Sequence, residues 1–397
     1  MSLRTELSGE GLWFRPLQAT DLRMTYDWRM KPRVREMLGD SSEFSFETHE
    51  AWFRQYESRA DKECVWIFGD EKGPIGQASL YSKHEPPLTV TFGRLVVGDD
   101  ERLCLGFGGR ATRVLTTWAL SAGFARVQLD VKPGNTSAHR IYERAGYKKV
   151  ISGVEGSDHV HMAALPSGAI THTVIVGSYN RPRLIAQTLK SIVEQTGPNW
   201  ELIVSDDASS DETISVIRSF TDGDPRCLLL HAPDRPPPGL RADGNVRAVK
   251  RINDALRVAK NDIIHYLPDD DFFAPNRFIH FESVFRNPSV MMAYGRLHYV
   301  DGAGNVGGLL YPGGPVMDPL CQLDQSQVAH RRSCLDKVPE WPSDPAVIGY
   351  VVDGLFYRSL VQAGYGPIWP IDALVTYKRN HTFNMQHTAH LSGERRE

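Results

Sequence analysis

Residues 173–213 read TVIVGSYNRPRLIAQTLKSIVEQTGPNWELIVSDDASSDET. Thr173–Val176 is a β-branched, apolar run of the kind buried on both faces of a parallel sheet. Gly177 to Pro182 ends it in a turn. Leu184, Ile185, Leu189, Ile192 and Val193 then recur at helical spacing. Leu202–Val204 is a second apolar strand, and it stops at Ser205-Asp206-Asp207. Ser209, Ser210 or Asp211 can cap the next helix, with Glu212 in its acidic first turn. Strand, helix and a second strand ending in carboxylates predict a doubly wound α/β sheet. Such sheets bind ligands at the carboxyl ends of their strands.

The alternation continues toward the C-terminus. Cys227–Leu230 is a third strand. The spacing of Val246, Val249, Ile252 and Leu256 predicts a helix over 245–260. Ile263–Leu267 is a fourth strand, and it delivers Asp269, Asp270 and Asp271 into a turn. Adjacent like charges repel, and a cation relieves them. Carboxylates at a strand end suit Mg²⁺ or Mn²⁺ against a ligand's phosphates. A solvated acidic turn is the competing reading of these residues. No G-x-G-x-x-G follows the first strand and no G-K-S/T is present, which argues against NAD, FAD and P-loop sites.

On the N-terminal side, Leu88–Val97 alternates like a strand. Gly106, Gly108 and Gly109 follow, before a helix expected over 110–122. A glycine turn at a helix N-terminus offers free N–H groups and a favourable dipole to a phosphate, although plain loops use glycine too. The strand Val127–Val131 leads through Pro133-Gly134-Asn135 into a helix bearing Tyr142. That helix is expected to end at Gly146. Pro166, Ser167 and Gly168 interrupt the pattern. The boundary is placed near Pro166–Ile170, giving domains 1–166 and 171–397.

The totals agree with two domains. The chain has 397 residues, 41% apolar and 23% charged, enough for a core in each half. Formal net charge is −3, from 45 basic and 48 acidic residues, so bulk charge gives no reason to expect nucleic acid or an anionic membrane. No apolar run is long enough to span a bilayer, and no charged-then-apolar leader opens the chain. The five cysteines (Cys64, Cys104, Cys227, Cys321, Cys334) are odd in number and form no C-x-x-C pair. Reduced thiols in a cytoplasmic protein are expected.

Residues 173–213, together with NVRAVKRINDALRVAKNDIIHYLPDDDFFAPNRF at 245–278, resemble the inverting family 2 glycosyltransferases of the GT-A fold, most of all the spore-coat polysaccharide type. The resemblance covers roughly 171–390. It implies a Rossmann-like nucleotide-sugar domain using a UDP- or dTDP-sugar, a carbohydrate acceptor and Mn²⁺ or Mg²⁺. By that resemblance Asp207 would bond the uracil or thymine base. Gly177 and Ser178 would contact the nucleoside, and Arg247 would lie near the nucleotide. Asp270 would bind the metal, with Asp269 beside it near the ribose. Pro268 stands at the first Asp position of the commoner D-x-D pattern, which leaves the ligand number open. Asp353, in GYVVDGLFYRSLVQAG at 349–364, would be the catalytic base. Taken alone, Asp353 reads rather as a helix N-cap. His381, His387 and His390 follow an expected last strand, Ala373–Tyr377. They are candidate extra metal ligands or plain surface histidines. Pro236–Gly239 is a rigid loop, either a lid or a connector.

Residues 11–165 resemble a GNAT acetyltransferase, an α/β domain with a mixed sheet that uses acetyl-CoA. VQLDVKPGNTSAHRIYERAGYKKV at 127–150 carries the strongest match. The resemblance implies coenzyme A binding by Val97, Gly106, Gly108, Gly109 and Arg110. Asn135 would bond the pantetheine arm or neighbouring backbone. Tyr142 would protonate the leaving thiolate; its alternative is a half-buried helix tyrosine. Leu103 replaces the family's usual Gln or Arg, with Arg102 adjacent. YDWRMKPRVREML at 26–38 and FSFETHEAWFRQY at 44–56 are similar to amino-sugar-nucleotide and ribosomal-protein acetyltransferases. Trp28, Arg29, His49, Trp52 and Phe53 would line the acceptor side, or Trp52 and Phe53 would be core. His84 and Glu85 are candidate bases.

The expectation is therefore a bifunctional carbohydrate enzyme that transfers a sugar to a hydroxyl and acetyl to the amine of an amino sugar. Two alternatives remain. In one, the GNAT-like half only binds. In the other, the acceptor is a protein or nucleic acid.

Overall fold

The computed structural model describes residues 3–37, 43–60, 62–82, 88–150, 159–197, 199–233, 242–344 and 351–379, with the backbone alone at residues 37 and 242–244. His84, Glu85, His381, His387, His390 and the Pro236–Gly239 loop lie outside them. By internal contacts the chain divides into two units that part between Ala169 and Ile170.

The first unit is a single mixed sheet with helices on both faces. Its elements are β1 (Leu7–Gly9), β2 (Leu12–Pro16), α1 (Leu22–Met30), α2 (Pro32–Met37), α3 (Phe46–Glu57), β3 (Glu63–Asp70), β4 (Gly73–Tyr81), β5 (Thr89–Val97), α4 (Phe107–Ser121), β6 (Arg126–Val131), α5 (Thr136–Arg144), β7 (Lys148–Lys149) and β8 (Val160–Ala164). Strand order is β1-β2-β3-β4-β5-β6-β8-β7. Successive side chains of a strand face opposite ways. Trp66, Phe68 and Leu80 therefore pack with Ala111 and Leu115 of α4. Val65 and Ile67 pack with Leu22, Phe53 and Tyr56 under α1 and α3. Helix α4 begins at Phe107, earlier than expected, because Gly106 is its N-cap in the left-handed region (φ 81°).

Strands β5 and β6 are the parallel pair. Their register is Thr89↔Arg126, Val90↔Val127 and Thr91↔Gln128, and it ends there. Beyond Thr91 the two strands part, while β5 keeps its antiparallel partner β4.

The second unit comprises β9 (His172–Ser178), α6 (Pro182–Val193), β10 (Trp200–Asp206), α7 (Asp211–Thr221), β11 (Cys227–His231), α8 (Ala242–Leu256), β12 (Ile263–Pro268), β13 (Phe272–Phe273), α9 (Arg277–Phe285), β14 (Met292–Val300), β15 (Val306–Leu310), β16 (Val328–Arg331), α10 (Val352–Leu360) and β17 (Ile368–Arg379). The sheet runs β11-β10-β9-β12-β16-β14-β17-β13, with β15 beside β14. Its first four strands are parallel. Both faces are covered, which explains why the strands read as continuous apolar runs. Val174, Val176, Leu202 and Val204 face α6 and α7. Ile175, Ile203, Ile264 and Tyr266 face α8 and α10.

Two expected boundaries move. The helix expected over 245–260 ends at Leu256, and the expected last strand is twelve residues long, Ile368–Arg379. Its extra length follows from pairing with β14, which holds it along most of its course. Among the described residues no helix is long and apolar enough to cross a membrane.

Candidate functional site

In the second unit the strand order reverses at β9. The chain steps from β9 to β10 on one side and later returns to place β12 on the other. A crevice outside the carboxyl ends of the strands is the expected result. It is present, as a cleft of about 370 Å³ that brings together Gly177, Ser178, Asp207, Asp269, Asp270 and Asp353.

Asp206 ends β10 and Asp207 follows it directly, so their side chains leave on opposite faces. Asp206 is fully buried and structural. It accepts bonds from the Ser209 N–H (2.8 Å) and hydroxyl (2.5 Å) and contacts His231 Nδ1 (2.9 Å). Asp207 faces the cleft, its N–H donating to the Ser178 carbonyl (2.9 Å). Burial raises its carboxyl above the usual range, against the pull of Arg247 and Arg251. Arg247 Nε stands 3.3 Å from Asp207 Oδ2 without hydrogen-bond geometry. Of these two arginines of α8, Arg251 lines the cleft and Arg247 does not. Ser178 is buried, and its hydroxyl has no partner among the described residues. At Gly177 an added Cβ would meet nothing within 4 Å, so the cleft is open there.

The three acids after β12 are not equivalent. Asp269 Oδ2 accepts the Tyr179 N–H (3.0 Å) and Oδ1 accepts Arg181 Nη1 (2.7 Å). Burial pushes its carboxyl up to about 7, with Arg181 opposing. Asp270 Oδ2 accepts the same Arg181 Nη1, also at 2.7 Å. Asp271 Oδ1 accepts the Arg379 N–H (3.0 Å), while its buried Oδ2 has no partner among the described residues. Burial drives Asp271 well above the carboxylate range. The turn itself is braced by Thr188, whose hydroxyl reaches the carbonyls of Asp269 (3.1 Å) and Asp271 (2.6 Å). Pro268 closes β12 opposite Gly177 of β9, after the β12–β16 pairing has ended at His265.

Asp353 is the second residue of α10, two positions past the cap, Val351. Its Oδ2 accepts the Gln325 N–H (3.0 Å) and its Oδ1 the Gly354 N–H (2.8 Å). Burial, reinforced by the Asp324 charge, raises its carboxyl to about 6. Asp324 and Lys378 form a buried ion pair on the same wall. Burial pulls Lys378 down, but Asp324 and Asp271 outweigh it and keep the ammonium charged. Sequence reasoning missed Arg181, Asp324 and Lys378. Each belongs to a different segment, and no local spacing connects them.

Hard oxygen donors suit Mg²⁺ or Mn²⁺ when phosphates and water complete the shell. Asp269 and Asp270 each present one oxygen to a common point, so their chemistry fits such an ion. That point is held by the Arg181 guanidinium. Among the described residues no group of three His, Cys, Asp or Glu side chains is arranged to hold a metal.

In the first unit, Val97 closes β5, and its carbonyl accepts Arg33 Nη1 (3.0 Å). Gly108 and Gly109 lie buried in the first turn of α4, where N–H groups lack intrahelical acceptors. Two expected phosphate partners are engaged elsewhere. Arg110 donates to the Glu10 carbonyl (3.1 Å) and lies over the Phe107 ring (4.1 Å). Arg102 is paired with Asp70 (2.7 Å) and Asp99 (3.1 Å). Asn135 caps α5, accepting the Ala138 N–H (3.1 Å), which is the backbone role of its two expected ones. Tyr142 packs against Phe92 and Tyr147, and burial pushes its phenol up to about 12. Gly146 follows α5 in the left-handed region (φ 92°). Trp28 and Phe53 are core, but His49 and Trp52 stack on each other (5.4 Å), with Thr25 bonded to His49 (3.0 Å). Burial lowers the His49 pKa.

Residues 173–313 match the family model "Glycosyl transferase family 2", and residues 11–148 match "Acetyltransferase (GNAT) domain". The chain carries a GNAT acetyltransferase domain and a family 2 glycosyltransferase domain. Curated relatives include Protein CgeD of Bacillus subtilis (strain 168), 28% identical over 223 residues, 53% of this chain and 51% of that protein. Another is the UDP-Glc:alpha-D-GlcNAc-diphosphoundecaprenol beta-1,3-glucosyltransferase WfgD of Escherichia coli, 29% identical over 140 residues, 35% of this chain and 51% of that protein. The chain thus spans about half the length of these curated relatives. Among solved structures, S. aureus TarS 1–349 aligns over 53% of this chain and 60% of that one, at 18% identity and TM-score 0.43.

Proposed function

We propose that the glycosyltransferase domain transfers a sugar, with inversion, from a UDP- or dTDP-sugar to a carbohydrate hydroxyl. The GNAT domain would transfer acetyl from acetyl-CoA to the amine of an amino sugar. One observation carries the first half. A single cleft joins Asp207 at one strand end, Asp269 and Asp270 at another, and the half-buried Asp353 from α10. A nucleotide lying across the strand ends has its base near Asp207 and its diphosphate near Asp269 and Asp270. The WfgD relative, named for a UDP-Glc donor, favours a uridine nucleotide.

Asp270, with Asp269, would hold Mg²⁺ or Mn²⁺. That ion, when bound, neutralises charge on the diphosphate leaving group. Asp353 takes the proton from the acceptor hydroxyl. Its carboxylate is fixed by two backbone N–H groups, and its raised pKa makes it a better base than an exposed aspartate. Inversion requires that hydroxyl to approach opposite the nucleotide.

In the GNAT domain, the open edge of β5 beyond Thr91 leads to Val97, and the free N–H groups of α4 offer an anion site for pyrophosphate. Tyr142 is a neutral phenol at physiological pH, as a proton donor to a leaving thiolate must be. Two assays test the reading. One measures nucleotide release from UDP- and dTDP-sugars with saccharide acceptors. The other measures CoA release from acetyl-CoA with amino-sugar nucleotides. No turnover across the first panel sinks the glycosyltransferase assignment. CoA binding without release across the second leaves the GNAT domain a binding module.

A further inference from the structure

The Arg181 guanidinium occupies the point at which the Asp269 and Asp270 carboxylates converge, with one nitrogen, Nη1, 2.7 Å from each. A metal ion ligated by both carboxylates needs that same point. Two cations cannot share it, because like charges a few ångströms apart repel strongly.

The charge around the cleft is also unbalanced. Asp269, Asp270, Asp271, Asp324 and Asp353 face Arg181, Lys378 and Arg379. Among the described residues the acids at this end of the cleft outnumber the cations. Two further groups in the cleft point to a missing ligand: the buried Asp271 Oδ2 and the Ser178 hydroxyl both lack partners among the described residues.

We propose that Arg181 is an internal place-holder for the divalent cation, holding Asp269 and Asp270 until a nucleoside diphosphate enters and then yielding them to the metal. This rests on the reading that those two carboxylates take the ion. The surrounding structure permits the exchange. Thr188 fixes the carbonyls of Asp269 and Asp271, and the Tyr179 N–H keeps its hold on Asp269, so the turn does not depend on Arg181. Arg181 is the N-cap of α6, with its side chain 29% exposed toward the cleft. Once released, its guanidinium stands at a helix N-terminus, where planar N–H pairs grip phosphate oxygens. The diphosphate therefore supplies the new partner that Arg181 needs in order to leave. Metal and nucleotide enter together, and the metal alone binds weakly.

The test is Mn²⁺ binding followed by the EPR signal of the free ion, at about pH 8 where carboxylates are ionised. Native protein, Arg181→Gln and Arg181→Lys are titrated with and without UDP, and far-UV circular dichroism checks the fold. Arg181→Gln should bind Mn²⁺ without UDP at least about tenfold more tightly than the native protein, since the competing charge is gone. Arg181→Lys, whose single ammonium cannot span both acids as a planar fork does, should fall between the two. If Arg181→Gln does not fold, Arg181→Lys carries the test with the same sign. Adding Asp270→Asn should abolish the gain. Equal nucleotide-free affinity in all folded proteins, with a normal UDP–Mn²⁺ complex, overturns the place-holder and leaves the metal reading standing. No bound Mn²⁺ in any protein, even with UDP, overturns both.

Discussion

Replacing Asp353 with asparagine separates a catalytic carboxylate from a structural one. Its two oxygens accept backbone N–H groups from Gln325 and Gly354. Asparagine has the same shape but only one acceptor oxygen, so its NH₂ must face one of those donors. The lost bond costs about 1 kcal/mol. Against that, the variant no longer buries an ionisable group beside the Asp324 charge, and this relief opposes the loss. The melting temperature should therefore move by only a few degrees, and UDP affinity should hold. Transfer should fall by about 10²–10⁴-fold, the usual contribution of a positioned general base. The pH profile adds a second reading. The base works only when ionised, so native kcat should fall as pH drops through about 6. Stability runs the other way. Because the folded pKa is raised, the fold is favoured by protonation and loses that contribution as pH rises through about 6. Both limbs should vanish in Asp353→Asn. Continuous nucleotide-release kinetics, calorimetric UDP binding and thermal melts check each part. Transfer at the native rate by a folded Asp353→Asn protein would refute the assignment.

Other outcomes follow from the same geometry. Asp207→Ala removes a charged hydrogen-bond acceptor, worth about 1.5–3 kcal/mol, so UDP and dTDP should bind roughly 10–100-fold more weakly by calorimetry. Gly177→Ala adds a Cβ that meets no protein atom, so the melting temperature should stay put while UDP affinity drops. Unchanged affinity would place the nucleotide away from that strand end. Tyr142→Phe keeps the ring between Phe92 and Tyr147, so the GNAT domain should still fold and bind CoA, with acetyl transfer down about 10²-fold in a CoA-release assay.

The amount of this site that could be read from sequence differs residue by residue. Asp207 was legible because a strand's two-residue period puts it on the face opposite Asp206, beside a turn. The acidic run at 269–271 was legible as a site but not as three roles. Only the fold gives Asp269 and Asp270 to Arg181 and leaves one oxygen of Asp271 alone. Asp353 could be named only through resemblance, since in isolation it begins a helix. Arg110 and Arg102 were legible only as charges near the glycine turn. Both carry the right charge near the right glycines, yet Glu10, Phe107, Asp70 and Asp99 already engage them.

By itself the sequence determined the alternation of strands and helices, the division near residue 169, and the carboxylates that close β10 and β12. These follow from local periodicity and from the chemistry of neighbouring residues, which a short window contains. The tertiary structure alone decided which charges meet. Arg181 lies 88 residues from Asp269, Lys378 lies 54 from Asp324, and Asp353 lies 28 from Gln325. Their pairing depends on the strand order β11-β10-β9-β12 and on the long path of β17. No local propensity encodes that order. It comes from burying both faces of the sheet at once, and the cleft chemistry is a consequence of that packing.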